Sequence, residues 1–343
     1  FGTTAHKYKV GISAVGQDLQ QHIDSMNFNR NVITPGAFLE YTYTGNRLVL
    51  VAGMRADYQT AFSDQKEKFQ FSPRVHAKWT LDEFTDLRVT TGKSWRLPTV
   101  VMDNSSLLAT SKAWIVTNSN EQEEVWNSGI SVIRTMRWWN RAASISADFY
   151  HARFNKQLII DREQSTDSIF FGFQRNVSRS STFQTELSFM PWKTITFRVA
   201  YKFLEVKANY AGSLRQQVMI PQHRGLFNVA FASRNKKWEL DGTISVYSPM
   251  RLPDVTLPDG SRLTNEKSKA VPVGLAQITR HFKRWDVYVG GENLFNFKQK
   301  NPIISADNPY DPTFDATRVW APVMGTVVYA GFRYEIKRKT EKK

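Results

Sequence analysis

Apolar and polar residues alternate along most of this chain. From Lys193 to Phe203, Ile195, Phe197, Val199, Tyr201 and Phe203 take one face, and Thr194, Thr196, Arg198, Ala200 and Lys202 take the other. Trp238, Leu240, Gly242, Ile244 and Val246 oppose Lys237, Glu239, Asp241, Thr243 and Ser245 in the same way. Leu48, Leu50, Ala52, Met54, Ala56 and Tyr58 share a face, and Leu87, Val89, Thr91 and Trp95 oppose Arg88, Thr90, Ser94 and Arg96. A period of two sustained over about ten residues is the signature of a strand with two different faces. The pattern predicts about fourteen strands, at 7–15, 35–44, 47–61, 70–80, 86–96, 124–136, 139–154, 180–190, 193–207, 223–234, 237–248, 272–282, 285–295 and 324–336. Most exceed the roughly five or six residues usual in soluble sheets. Many reach the ~9–11 residues a tilted strand needs to cross a bilayer.

The connections sharpen this reading. One set is very short: Gly45-Asn46, Arg137-Trp138, Pro191-Trp192, Asn235-Lys236 and Lys283-Arg284, with a slightly longer turn at Leu81 to Thr85. The other set is long: 16–34, 62–69, 97–123, 155–179, 208–222, 249–271 and 297–323. The two sets alternate strictly. An up-and-down sheet therefore carries all its tight turns at one end and all its long loops at the other, the layout of outer-membrane barrels. Trp138, Trp139, Trp192, Trp238 and Trp285 all flank tight turns. That places them at one level, as an interfacial aromatic girdle would be. Lys193, Lys236, Lys237, Lys283 and Arg284 add cations at the same level, where lipid headgroups pair with them.

Composition removes several alternatives. The 343 residues contain no Cys, which excludes disulfide frameworks and thiolate chemistry. No apolar run approaches the ~18 residues of a membrane helix; Leu48 to Met54 is among the longest. A mean hydropathy of −0.43 is compatible with a barrel, which turns only alternate residues to lipid. The net charge of +15 invites a nucleic-acid reading, but the basic residues are dispersed over strands and turns and no recognition module appears. Lumenal cations such as Arg88, Arg96, Arg198 and Lys202 would instead attract an anionic ligand or dock against a plug. Lipopolysaccharide phosphates near the outer loops are another partner the charge suits. The chain begins at Phe1 without a signal-like segment and reads as a processed chain or fragment. Residues 1–336 read as one β-barrel domain, and 337–343 as a solvated basic tail.

No catalytic constellation stands out, so no enzyme activity, cofactor or metal is expected and the ligand-binding residues stay unassigned. The six His residues (His6, His22, His76, His151, His223 and His281) are scattered; His76, His151 and His281 fall in strands, as lumen or interface residues. Gly92-Lys93-Ser94 resembles the end of a phosphate loop, but Leu87 stands where that loop needs Gly. Asp307, Asp311 and Asp315 offer hard oxygens to a cation in a Pro-rich loop, although their spacing fits a solvated turn better. His22 with Met26, or Met102 with Asp103, would be the candidates for a metal-chelate site in external loops.

Two segments carry a family resemblance. Gly290-Gly291-Glu292-Asn293-Leu294-Phe295-Asn296 precedes the last long loop, and Val328-Tyr329-Ala330-Gly331-Phe332-Arg333-Tyr334-Glu335-Ile336 closes the chain. Both resemble the C-terminal end of TonB-dependent outer-membrane receptors. Thr91-Gly92-Lys93-Ser94-Trp95-Arg96-Leu97-Pro98 is similar to the family's Gly-x-(Gly/Ser)-(aromatic)-Arg-x-Pro segment. The last loop, with Asp307-Asn308-Pro309, is similar in style to receptors from the Bacteroidetes. The resemblance implies a 22-stranded transmembrane antiparallel β-barrel, of which this chain would be the C-terminal part without its plug. It also implies location in the outer membrane of a Gram-negative bacterium. The function implied is uptake of a siderophore, metal chelate or cobalamin, energised by the TonB complex through the plug. A complete fourteen-stranded, porin-like passive channel and a soluble all-β binding module remain the competing readings.

Overall fold

A computed structural model describes residues 2–61, 66–117, 120–165, 167–210, 212–257 and 259–336. The basic tail lies outside the described residues. Fourteen long strands form one sheet: β1 (His6–Leu19), β2 (Arg30–Thr44), β3 (Leu48–Gln59), β4 (Lys68–Asp82), β5 (Thr85–Arg96), β6 (Glu123–Trp138), β7 (Arg141–Asp161), β8 (Ser178–Trp192), β9 (Ile195–Tyr210), β10 (His223–Ala232), β11 (Trp238–Tyr247), β12 (Val271–His281), β13 (Trp285–Glu292) and β14 (Val327–Tyr334). Each pairs antiparallel with the one before it. All fourteen stand where the alternation predicts them. Some run further toward the loop end, as β7 does to Asp161 and β1 to Leu19.

Two tight turns sit later than the sequence places them. Trp138 pairs with Arg141 and Trp192 with Ile195, so both Trp residues stay in their strands. The first turn is made by Trp139 and Asn140, at φ 49° and 56°. Positive φ at both central residues is the primed hairpin geometry, whose twist matches that of the flanking strands. Keeping Trp138 in register sends its ring outward against Trp139 and Phe189, each 5.1 Å away between centroids. Arg280 lies 4.6 Å over the Trp238 ring, and Phe282 stacks on Trp285 at 3.9 Å. The tight-turn end is thus rimmed by exposed aromatics, as the girdle reading expects.

The sheet has one apolar and one polar face. Across β8 to β12, Leu187, Val199, Phe227, Ile244 and Gly274 lie in one lateral row, flanked by similar rows. Val199, Phe227 and Ile244 are all exposed. Such an expanse of exposed apolar surface asks for lipid. The other face carries Glu186, Arg198, Asn228, Asp241 and Thr243, and it lines the concave side. Almost all fully buried apolar side chains sit elsewhere, at the loop end: Val100, Leu107, Trp114, Leu158, Ile169 and Phe171 form a cluster there.

Among the described residues, the only long strand paired with β1 is β2 and the only one paired with β14 is β13; β1 has in addition one isolated bridge, from Lys7 to Gly2. The apolar side chains of these two strands are correspondingly bare: Ile12 is 89% and Phe332 76% exposed, against 42% for Ile244 in the middle of the sheet. Two free edges in lipid leave rows of N–H and C=O groups unpaired, at several kcal/mol per group.

Two predictions follow from this architecture. Residues 1–343 produced alone in detergent will lack the heat-resistant mobility on a gel that a closed barrel displays; native-like mobility of this piece would show that its edges are satisfied. In the complete gene product, Ile244→Arg on the lipid face will lower stability by about 2–4 kcal/mol in denaturant titration. Thr243→Arg, one residue away on the lumenal face, will change it little.

Candidate functional site: the lumen wall and the braced loops

The polar face places acids and bases on neighbouring strands, where their side chains meet. Lys9 Nζ and Arg74 Nη2 both reach the Glu40 carboxylate, at 3.1 and 2.5 Å, joining β1, β2 and β4. Arg55 holds Asp57 at 2.6 Å and donates to Ser13 Oγ at 2.7 Å. Arg96 reaches Glu123 at 2.5 Å and Asp103 at 3.3 Å. A recess of about 700 Å³ opens here, lined by Glu40, Arg55, Asp57, Arg74 and Arg96. Near the tight-turn end, His281 bridges Asp286 on Nδ1, at 2.8 Å, and Glu239 on Nε2, at 3.2 Å.

The expected lumenal cations are therefore of two kinds. Arg96 is neutralised as described, and Arg198 pairs with Glu186 at 3.2 Å. Lys202 stands directly opposite Arg224, whose guanidinium lies 4.8 Å over the Tyr247 ring, in a second recess of about 280 Å³. A positive pair of this kind suits an anion or an acidic segment inside the barrel. Arg88 lies on the same polar face, opposite Lys78. His76 is lumenal and bonded to Thr90 Oγ1 at 2.8 Å, whereas His151 lies on the outer face.

At the loop end, segments distant in sequence are tied together. Ala113–Thr117 pairs in parallel with Ser168–Gln174, stacking Trp114 on Phe171 at 4.4 Å. The hairpin at His22–Asn27 docks on the same cluster through Ile23 and Met26. Met26 packs on that cluster, and His22 Nδ1 is bonded to Asn27 at 2.8 Å. Met102 is exposed, while Asp103 accepts from Thr99 Oγ1 at 2.8 Å and from Arg96. Gly92-Lys93-Ser94 lies inside β5, in extended backbone and not in a strand-to-helix turn.

The aspartates of the last loop separate as well. Asp307 is exposed; Asp311 accepts from Thr313 Oγ1 at 2.5 Å and N at 2.7 Å, which holds its carboxyl below the usual range. Asp315 is not a solvated turn residue. It is buried, 3.3 Å from the buried Lys112 Nζ, with side-chain exposures of 1% and 4%. Its backbone bridges both Thr110 and Ile304, and its carboxylate accepts from Thr317 N at 2.8 Å. Arg162 donates to Thr317; burial pushes its guanidinium below its ordinary value, and nearby Asp315 opposes that. Arg251 grips Glu163 with two bonds, at 2.7 and 2.8 Å, and Arg318 holds Glu266 at 2.5 Å. Below this brace Gln59, Gln122 and Gln70 form a buried hydrogen-bonded chain. Five long loops are thereby fixed to one another.

The root of the last loop is pinned by Asn293. Asn293 Nδ2 donates to the carbonyls of Phe297 and Met324, at 2.8 and 2.9 Å, across the loop's two ends. Asn293 and Asn296 both adopt positive φ, which Asn tolerates better than most residues.

None of these pairs was visible in the sequence. Lys112 and Asp315, or Arg251 and Glu163, are brought together only by the order of the strands in the sheet, and no local spacing marks them. Asp315→Asn leaves Lys112 buried without its counter-charge, so it will cost about 3–5 kcal/mol and expose the last loop to protease. The paired replacement Lys112→Met with Asp315→Leu will restore most of that resistance.

A family model described as TonB dependent receptor-like, beta-barrel, matches residues 3–321. No curated protein matches the chain. Among solved structures, the ferric enterobactin receptor PfeA from Pseudomonas aeruginosa, in a mutant form bound to enterobactin, superposes with a TM-score of 0.67 at 12% identity, over 97% of this chain and 52% of its own. The FrpB iron transporter from Neisseria meningitidis gives 0.67 at 11%, over 97% and 53%. The copper transporter OprC gives 0.64 at 13%, over 87% and 51%. The chain spans about half the length of these proteins, and at such identities they speak for the fold alone. Fold and family match agree: this chain belongs to the TonB-dependent receptor-like β-barrel family.

Proposed function

We propose that this chain forms the greater part of the wall, and most of the capture loops, of an energised importer in the outer membrane of a Gram-negative bacterium. Its cargo is a scarce solute of the siderophore, metal-chelate or cobalamin class. The observation that carries this is the pairing of a polar, ion-paired lumen with loops braced into one body above it. A passive pore needs only a lumen. A capture site needs groups held in place before the solute arrives, because loops ordered in advance spend less binding energy on being fixed. Relatives of known fold are described as a ferric enterobactin receptor, an iron transporter and a copper transporter, which supports the cargo class.

In this reading the free edges of β1 and β14 pair with further strands that complete a 22-stranded barrel, and the lumenal charges face a plug. The positive pair Lys202 and Arg224 is a natural contact for acidic groups on that plug. The TonB complex acts through the plug, not on this chain. The wall performs no bond chemistry: it binds, orients and encloses. Lipid and lipopolysaccharide cover the outer face. The fourteen strands do not form a closed channel by themselves in this arrangement, since β1 and β14 do not pair with each other among the described residues.

The test is genetic and direct. A strain deleted for the complete gene, with and without a working TonB complex, is grown on ferric siderophores, copper or cobalamin as the sole source of the limiting nutrient. The expected result is one nutrient whose uptake requires both the gene and TonB. Uptake of unrelated small solutes that depends on the gene but not on TonB would replace this reading with a passive channel.

A further inference from the structure

On the outer face of β7, β8 and β9, one level departs from the apolar pattern. The rows across the three strands, from mid-wall toward the loops, read Ile145, Leu187, Val199; Ala147, Thr185, Tyr201; Phe149, Phe183, Phe203; His151, Ser181, Glu205; and Arg153, Arg179, Lys207. No register shift interrupts the pairing between the first row and the last, so all belong to the same face. The final row sets three cations directly opposite one another. Residues so placed have Cα atoms only about 4.5–5.5 Å apart, and like charges there are destabilising.

The neighbours offset that repulsion at one end of the row only, at Lys207. Lys207 Nζ is bound to Glu205 at 2.7 Å, and His151 Nδ1 to Ser181 Oγ at 2.9 Å. Trp126 of β6 stands opposite Arg153, and Lys93 of β5 opposite Trp126. Lys93 and Lys156 share Glu124, at 3.0 and 3.9 Å. Arg153 and Arg179 are exposed and have no hydrogen bond or ion pair among the described residues.

The height of the row is informative. Arg141, opposite the girdle residue Trp138, begins β7, and Arg153 lies on the same strand. The distance between them is about 40 Å of strand, hence about 30 Å along the axis of a barrel tilted by ~40°. That just exceeds the apolar band of an outer-membrane barrel, about 25 Å tall. The girdle marks one headgroup layer, and the cation row falls in the other. Phe149, Phe183 and Phe203 lie below it, at the depth of acyl chains.

We propose that Arg153, Arg179 and Lys207 form a site for the phosphates of an outer-leaflet glycolipid bearing two phosphate groups, with its acyl chains laid over the phenylalanine row. Three adjacent strands at ~4.8 Å spacing give a row about 10 Å wide, broad enough for two phosphates. Guanidinium groups suit phosphate oxygens because they donate in a planar fork. The site rests on the membrane reading of the wall and is independent of what the lumen transports, so it is tested by lipid binding and not by uptake.

The complete gene product in detergent is titrated by native mass spectrometry with bis-phosphorylated lipid A, with monophosphorylated lipid A and with inorganic phosphate. The expected result is one retained bis-phosphorylated lipid, bound at least tenfold more tightly than the monophosphorylated form and not displaced by millimolar phosphate. Arg153→Gln with Arg179→Gln will weaken it at least tenfold, and Arg179→Gln alone by a smaller factor. Arg88→Gln, on the lumenal face, will leave it unchanged. Heat-resistant gel mobility verifies that each variant is folded; should the double variant lose it, Arg179→Gln carries the comparison. Unchanged lipid affinity in the folded variants overturns the site. Displacement by phosphate at the lipid's own concentration assigns it to free phosphate and overturns the lipid.

Discussion

In hydrocarbon a peptide N–H or C=O has no water to turn to, and each one left unpaired costs several kcal/mol. The whole sheet answers to that constraint. Strands are long because they must pair through the full depth of the membrane, and the turns at one end are short because nothing is gained by exposing more backbone there. Side-chain packing, which dominates soluble folds, is secondary here: the wall is one layer thick, and most of its buried apolar residues, such as Val32, Ile159 and Val271, sit where the strands reach the loops. The same constraint makes the outer strands β1 and β14 the two places where the described sheet is unsatisfied.

Where water returns, ordinary folding physics returns with it. The dry cluster around Trp114 and Phe171 lies where the strands give way to the loops, and so do the buried Lys112–Asp315 pair and the Arg251–Glu163 fork. Buried ion pairs of this sort are weak sources of stability but strong sources of specificity, because removing one partner strands the other. Placed at the loop roots, they fix which loop lies against which. The lumen between takes a middle course: its charges are paired across strands yet stay wet, so they can exchange partners with a solute.

Much of the fold was legible in the alternation. Period two, strand length and the strict succession of short and long connections each depend only on residues close in sequence, and they located all fourteen strands. The turn at Trp139 and Asn140 was misplaced because two adjacent Trp residues fit either side of a hairpin, and only the register decides. The loop elements at Ala113–Thr117 and Ser168–Gln174 were missed because a five-residue strand paired in parallel leaves no periodic trace. Asp315 was misjudged for a related reason. Its Pro-rich neighbours suggest solvent, but its burial is created by Lys112, Thr110 and Ile304, brought to it by the whole circuit of the sheet. The cation row failed to stand out because Arg153, Arg179 and Lys207 become neighbours only once three strands are in register.

The brace between Lys112 and Asp315 also orders events in time. Lys112 belongs to the loop after β5, and Asp315 to the loop that precedes β14, with the strands β6 to β13 between them in the chain. Contacts of such large sequence separation form late, after the intervening chain has closed its own loops. The two residues meet across the span of β6 to β13, so their contact depends on those strands standing in register. The outer surface therefore stays unfinished through most of assembly and locks in a late step, so that a barrel with a strand missing or out of register displays loose, protease-accessible loops to the outside.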